Sequence, residues 1–175
     1  MTDLGTFTEI DGRAAVRFVR TYRHSVERVW EAVTTPDGLR RWFPSQVEID
    51  LRPGGDVIFR GDPHTEDSRG RVVACEPPHY LAISWGDDEL RFQLEAIDGG
   101  GCRLTLYDLL ERRDAAARQA AGWDVCLGEL DKHLAGQLTN GPHSTMAKAW
   151  QPLYDAYVAA GLPAGAPVPG LPATS

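Results

Sequence analysis

The side chains with the most chemical potential in this 175-residue chain are five histidines, three cysteines and a short run of acids at 62–67. His24, His64, His79, His133 and His143 stand apart, and none pairs with another His, Cys or carboxylate at a metal-ligand spacing. His133 and Asp131 are two residues apart in a helical stretch, so they do not share a face. "DPHTED" at 62–67 offers oxygen and nitrogen donors but lacks the ordered glycine and acids of a calcium loop; a solvated loop is expected. Cys75, Cys102 and Cys126 show no C-x-x-C pattern, which predicts small buried hydrophobes in a reducing compartment. There is no G-x-S-x-G, P-loop, G-x-G-x-x-G or H-E-x-x-H. The sequence therefore assigns no catalytic residue, metal site or cofactor. Three polar side chains stand out as candidates for a buried site. Tyr107 and Asp108 end a strand, and Asp124 adjoins Trp123. A buried hydroxyl or carboxylate there needs a partner, which a ligand or water can supply.

Composition narrows the classes further. The net charge of −7 and pI near 5.2 argue against nucleic acid or an anionic membrane as partner. No apolar run reaches the ~18 residues of a membrane span, and the acidic N-terminus lacks a signal-peptide apolar region. A cytoplasmic location is expected. The length suits one domain.

The elements that must position any site follow from periodicity. Residues 14–22 are rich in β formers and read as a strand. Ser25 caps a helix over Val26–Thr34, and Pro36 opens a second short helix through "DGLRRWF". From residue 46 the period is two: "QVEIDL", "VIFRG", "RGRVVACE", "YLAISWG", "ELRFQLEAI" and "CRLTLYDL" are strands joined by short turns. From Asp114, a long helix presents Trp123, Leu127, Leu130, Leu134 and Leu138 at helical spacing. A break at 140–143 precedes a second helical patch with Trp150, Tyr154 and Tyr157, where Pro152 kinks the helix or marks its first turn. Short connections imply antiparallel pairing, and an apolar sheet face needs the long helix as cover. The fold class is α+β: a curved antiparallel sheet of about six to seven strands gripping a C-terminal helix. The domain is expected over 1–140, a helical extension over 141–162 and a disordered tail over 163–175. The extension is expected to pack back on the domain, a homodimer contact being the alternative.

"ERVWEAVTTPDGLRRWF", "LRPGGDVIFRG", "GRVVACEPPHYLAISW" and "GWDVCLGELDKHLAG", in that order across residues 14–138, resemble the SRPBCC (START-like, helix-grip) superfamily. The branch is the one similar to the C-terminal domain of the activator of the heat-shock protein 90 ATPase. The resemblance implies a cavity between sheet and long helix, closed at one end by the two short helices. It places Trp42, Phe43, Phe59, Trp85, Phe92, Leu106, Tyr107, Trp123, Leu127 and Leu130 toward that cavity, with Trp42, Trp85 and Trp123 as its walls. For each of these residues, plain core packing is the competing account. The implied function is binding of a small hydrophobic molecule without covalent chemistry. Two alternatives follow from the same resemblance. One is a polyketide aromatase/cyclase-like enzyme, which needs an acid or base deep in the cavity. The other is a co-chaperone-like interaction module, which in that group works with a separate N-terminal domain for which 175 residues leave no room.

Overall fold

A computed structural model describes residues 4–168. The strands are β1 (Thr6–Ile10), β2 (Arg13–Tyr22), β3 (Gln46–Ile49), β4 (Asp56–Arg60), β5 (Ser68–Glu76), β6 (Tyr80–Trp85), β7 (Asp88–Ile97) and β8 (Gly101–Leu109). The helices are α1 (Val26–Thr34), α2 (Pro36–Leu39), α3 (Ala116–Leu134) and α4 (Trp150–Ala159). The sheet is antiparallel, in the order β1-β2-β8-β7-β6-β5-β4-β3. Its one non-sequential neighbour pair is β2 and β8. After β2 the chain must therefore cross to the far edge, and α1 and α2 make that crossing. It then meanders back strand by strand to β8, and α3 runs over the concave face. This is a curved, unclosed α+β helix grip.

Eight strands replace the six to seven expected. The added one is β1, which pairs with β2 through a tight turn at Asp11 (φ 52°) and Gly12 (φ 79°).

Alternation sets which side chains face α3. On β8, Cys102, Leu104, Leu106 and Asp108 are buried, while Arg103 is exposed. Register places Val16, Phe18, Arg20 and Tyr22 of β2 beside Asp108, Leu106, Leu104 and Cys102 on that same inward face.

The short helices are held by caps and one close approach. Ser25 Oγ accepts from Arg28 N (3.2 Å), and Thr35 Oγ1 accepts from Gly38 N (3.1 Å). A Cβ at Gly38 would lie 2.7 Å from the Ala32 backbone, so only glycine lets α2 fold this tightly against α1. α2 is a single turn rather than the longer helix expected through Phe43.

α3 stops at Leu134, four residues before the expected Leu138, which is 82% exposed. Gly136 (φ 74°) ends it: Gly136 N donates to His133 O and Gln137 N to Lys132 O, a Schellman closure. The start of α3 has no side-chain cap. Its orphan amide at Ala117 instead donates to Pro163 O (2.9 Å), and Ala166 N donates to Asp114 O. Residues 163–168, expected to be disordered, thus lie against the first turn of α3, with Ala166 buried. The remainder of the expected tail, 169–175, lies outside the described residues.

α4 packs on α3, with Pro152 in its first turn. Tyr157 is fully buried and its hydroxyl donates to Asp124 Oδ2 (2.6 Å).

Candidate functional site

The aromatic residues gather as one cluster between sheet and α3. Trp42 lies 5.7 Å from Phe43, 6.2 Å from Phe92 and 6.4 Å from Trp123, ring centre to ring centre. Phe43 lies 6.0 Å from Phe59, and Phe59 stacks on Trp85 at 5.0 Å with ring planes 15° apart. Trp85 meets Trp123 edge-on at 6.0 Å. These are contact distances for packed aromatic pairs. Trp42, Phe43, Phe59 and Phe92 are buried, as are Leu106, Leu127 and Leu130. Trp42 is further fixed by donating from Nε1 to Ala32 O (3.0 Å), which ties its ring to the last turn of α1. These side chains pack against one another.

The open volume lies beside this cluster. A cleft of about 740 Å³ runs beside α3. Its inner wall is Trp85, from the end of β6, with Gln119, Gly122, Trp123 and Cys126 of α3. The loop at Asp62, His64 and Thr65 closes one side. Lys148, Trp150 and Gln151 of the C-terminal extension close another, and Arg118 and Val168 flank the start of the helix. Of the ten apolar and aromatic candidates read from the sequence, Trp85 and Trp123 border this cleft. Tyr107 does not face the interior. Strand alternation turns it away from its neighbour Leu106 to the outer face, where its hydroxyl accepts from Arg17 Nε (3.3 Å).

Asp108 lies behind the inner wall. It is 1% exposed, and its Oδ2 accepts from Trp123 Nε1 (2.9 Å) and Gln119 Nε2 (3.3 Å). Burial, reinforced by the neighbouring Asp88 carboxylate, holds its carboxyl well above the usual range. Gln119 Nε2 also reaches Asp88 Oδ2 (3.5 Å), spanning the acid pair.

Asp124 faces away from the cleft interior into a tie between three segments. Its Oδ1 accepts from Lys148 Nζ (3.2 Å), and Arg20 Nη2 approaches within 3.9 Å. Its Oδ2 accepts from Tyr157, whose hydroxyl in turn accepts from Gly5 N (2.8 Å). Protein groups thus satisfy the carboxylate that was weighed above as a ligand contact.

The 62–67 loop is more ordered than its composition suggests. Asp62 Oδ1 accepts from His64 N (2.8 Å), and the His64 and His143 rings lie 5.4 Å apart. His143 Nε2 donates to Pro44 O (2.8 Å). Among the described residues no set of His, Cys, Asp and Glu is arranged to hold a metal ion. Burial raises the Cys126 thiol far above its ordinary value, so it lines the cleft as an inert apolar group.

Gly122 went unnoticed in the sequence. It sits mid-helix without positive φ, and a Cβ there would meet nothing within 4 Å. A glycine in a helix interior costs about 1 kcal/mol relative to alanine, and neither packing nor backbone geometry requires it here. It leaves bare helix backbone on the cleft wall. A glycine inside a strongly periodic helix was the available signal.

With this geometry in hand, the sequence profile described as "Activator of Hsp90 ATPase homolog 1-like protein" matches residues 23–135. The chain belongs to this family. The match runs from the start of α1 through the end of α3, so Lys148, Trp150 and Val168 lie beyond it. Similar solved structures span most of the chain. CalU16 from Micromonospora echinospora is 25% identical, covering 89% of this chain and 94% of its own, with a TM-score of 0.69. The protein encoded by BPP1335 of Bordetella parapertussis is 26% identical over 88% of this chain and 89% of its own, with a TM-score of 0.65. Aha1 from Colwellia psychrerythraea, solved as a dimer, is 22% identical over 69% of this chain and 95% of its own, with a TM-score of 0.58, and shares the fold. No curated protein matches the chain.

Proposed function

We propose that this member of the activator-of-Hsp90-ATPase-like family binds a small hydrophobic molecule in the cleft beside α3. The observation that carries the reading is the juxtaposition of three indole rings, Trp85, Trp123 and Trp150, around about 740 Å³ of open space next to a filled core. Mostly apolar concavities of this size with a few placed polar groups are the usual form of a ligand site. Native mass spectrometry of protein purified from its host tests it directly. A discrete co-purifying small molecule is expected, and Trp150→Ala, which alters a half-buried residue of the rim, should reduce its occupancy. An empty protein that shows no tryptophan fluorescence change across a broad panel of hydrophobic metabolites would remove the reading.

A cyclase-like activity is the second reading, and the buried Asp108 carboxyl, pushed well above its usual range, favours it. A carboxyl raised well above its usual range behind the cleft wall, bonded to the wall residues Trp123 and Gln119, is placed to serve as a general acid once Gln119 moves aside. Turnover of a cyclisable substrate that Asp108→Asn abolishes, with substrate binding retained, is the expected signature.

The dimeric Colwellia protein also supports a homodimer for this chain, checked by light scattering across a range of concentrations. An interaction role beside a chaperone is proposed on family membership alone. A cytoplasmic location accords with three unpaired cysteines and with no described helix being long and apolar enough to cross a membrane.

A further inference from the structure

We propose that the ligand of this cleft is an amphipathic anion, its apolar chain lying on the bare helix backbone at Gly122 and its carboxylate held by Arg118; this rests on the cleft being a binding site. Charge is the first support. The protein has 25 acidic residues against 18 lysines and arginines, yet a single carboxylate, Asp62, lines the cleft beside Arg118, Lys148, His64 and His143. Asp62 is already engaged, accepting from His64 N and lying 3.8 Å from His143 Nε2. Arg118 donates from Nη1 to Pro167 O (2.6 Å), its Nε and Nη2 make no hydrogen bond to the described residues, and its charge also acts on Asp114. Lys148 is spent on Asp124 and its stem lies over Gly128, toward the other end of the helix from Arg118. A cleft of opposite sign to the whole molecule selects an anion.

Gly122 is the second support. Its missing Cβ leaves room that no protein atom within 4 Å uses. From Arg118 to Cys126 the wall is about 12 Å long at 1.5 Å per residue, which matches an extended chain of roughly ten carbons. Such a chain would run from the cation at the helix start, across Gly122 and past Trp123, toward Cys126.

Isothermal titration of the full chain with decanoate, decanol and decylamine tests the assignment. Decanoate is expected to bind at least about tenfold tighter than decanol, the worth of one charge-assisted bond, and decylamine more weakly than either. Arg118→Gln should bring decanoate and decanol within about twofold of each other. Gly122→Ala should raise Tm by about 2–4 °C through helix propensity, yet weaken decanoate and decanol alike. Equal binding of decanol and decanoate by the native protein, or tighter binding of decylamine, overturns the anion assignment and leaves the cleft as a site. Undiminished binding by Gly122→Ala overturns the placement. Binding of none of the three overturns this assignment, and the ligand reading itself falls only if the wider metabolite panel is also silent.

Discussion

At the scale of single residues, Asp108 and Tyr157 show how far burial sets chemistry. Asp108 has its folded-state pKa raised above the unfolded value near 3.8. Its contribution to stability is therefore full below about pH 4 and is lost as pH rises until the carboxyl ionises. Asp108→Asn keeps an acceptor for Trp123 and a donor toward Asp88 without the titration. Urea midpoints measured between pH 4.5 and 8 should fall with rising pH in the native protein and stay flatter in the variant. A slope unchanged by the substitution would show that another group titrates. Tyr157 is held by two hydrogen bonds in a buried setting. Tyr157→Phe leaves Gly5 N without its acceptor and Asp124 Oδ2 without its donor, and should cost about 1–3 kcal/mol in denaturant unfolding. Tyr107 shows what alternation alone decides. Leu106 faces inward, so Tyr107 had to face outward, and the strand pattern already contained that answer.

At the scale of elements, ends and approaches carry the weight. The tail at 163–168 supplies the carbonyl that the uncapped start of α3 lacks. Truncation after Gly161 should therefore speed hydrogen exchange at Ala117 and Arg118 and lower Tm, while exchange in β6 to β8 changes little. Gly38→Ala drives a Cβ into the Ala32 backbone, so the variant should unfold at lower denaturant, with the α1 and α2 region most affected. Both features were partly legible. The glycine stood where two helices follow each other closely, but its partner Ala32 is fixed only by how the two helices meet. The Pro-rich tail gave no sign of docking, because a segment that bonds through its backbone carbonyls leaves no side-chain pattern. β1 left a partial one: "TFTEI" is rich in β formers and "DG" follows it, a hairpin signal preceding β2.

At the scale of the whole molecule, a filled core stands next to an open cleft, and substitutions should separate them. Leu127 is fully buried against the sheet, so Leu127→Ala should destabilise by about 2–5 kcal/mol. Trp150 is half-buried and stacks on Tyr154, 4.8 Å away, at the edge of the cleft. Trp150→Ala should cost less stability than Leu127→Ala while removing more ligand affinity, and paired unfolding and binding curves check the contrast. If Trp150→Ala lost only stability, the rim would be plain packing. The extension thus has two duties, bracing α3 through Tyr157 and walling the cleft through Lys148 and Trp150.

By itself the sequence determined the order of elements from β2 to α3, the antiparallel meander, the long covering helix and, Tyr107 apart, the inward set of aromatic residues. These follow from local rules: period two for strands, 3.6 for helices, and turn or cap residues between them. The tertiary structure alone decided whether the space between sheet and helix is filled. That depends on the sum of side-chain volumes meeting across elements far apart in sequence, which periodicity along one element does not encode. It likewise decided that Asp124 is satisfied by Lys148 and Tyr157, and that His64 and His143 stand together beside Trp85 and Trp123. Such meetings arise only once the chain after α3 has folded back over the sheet.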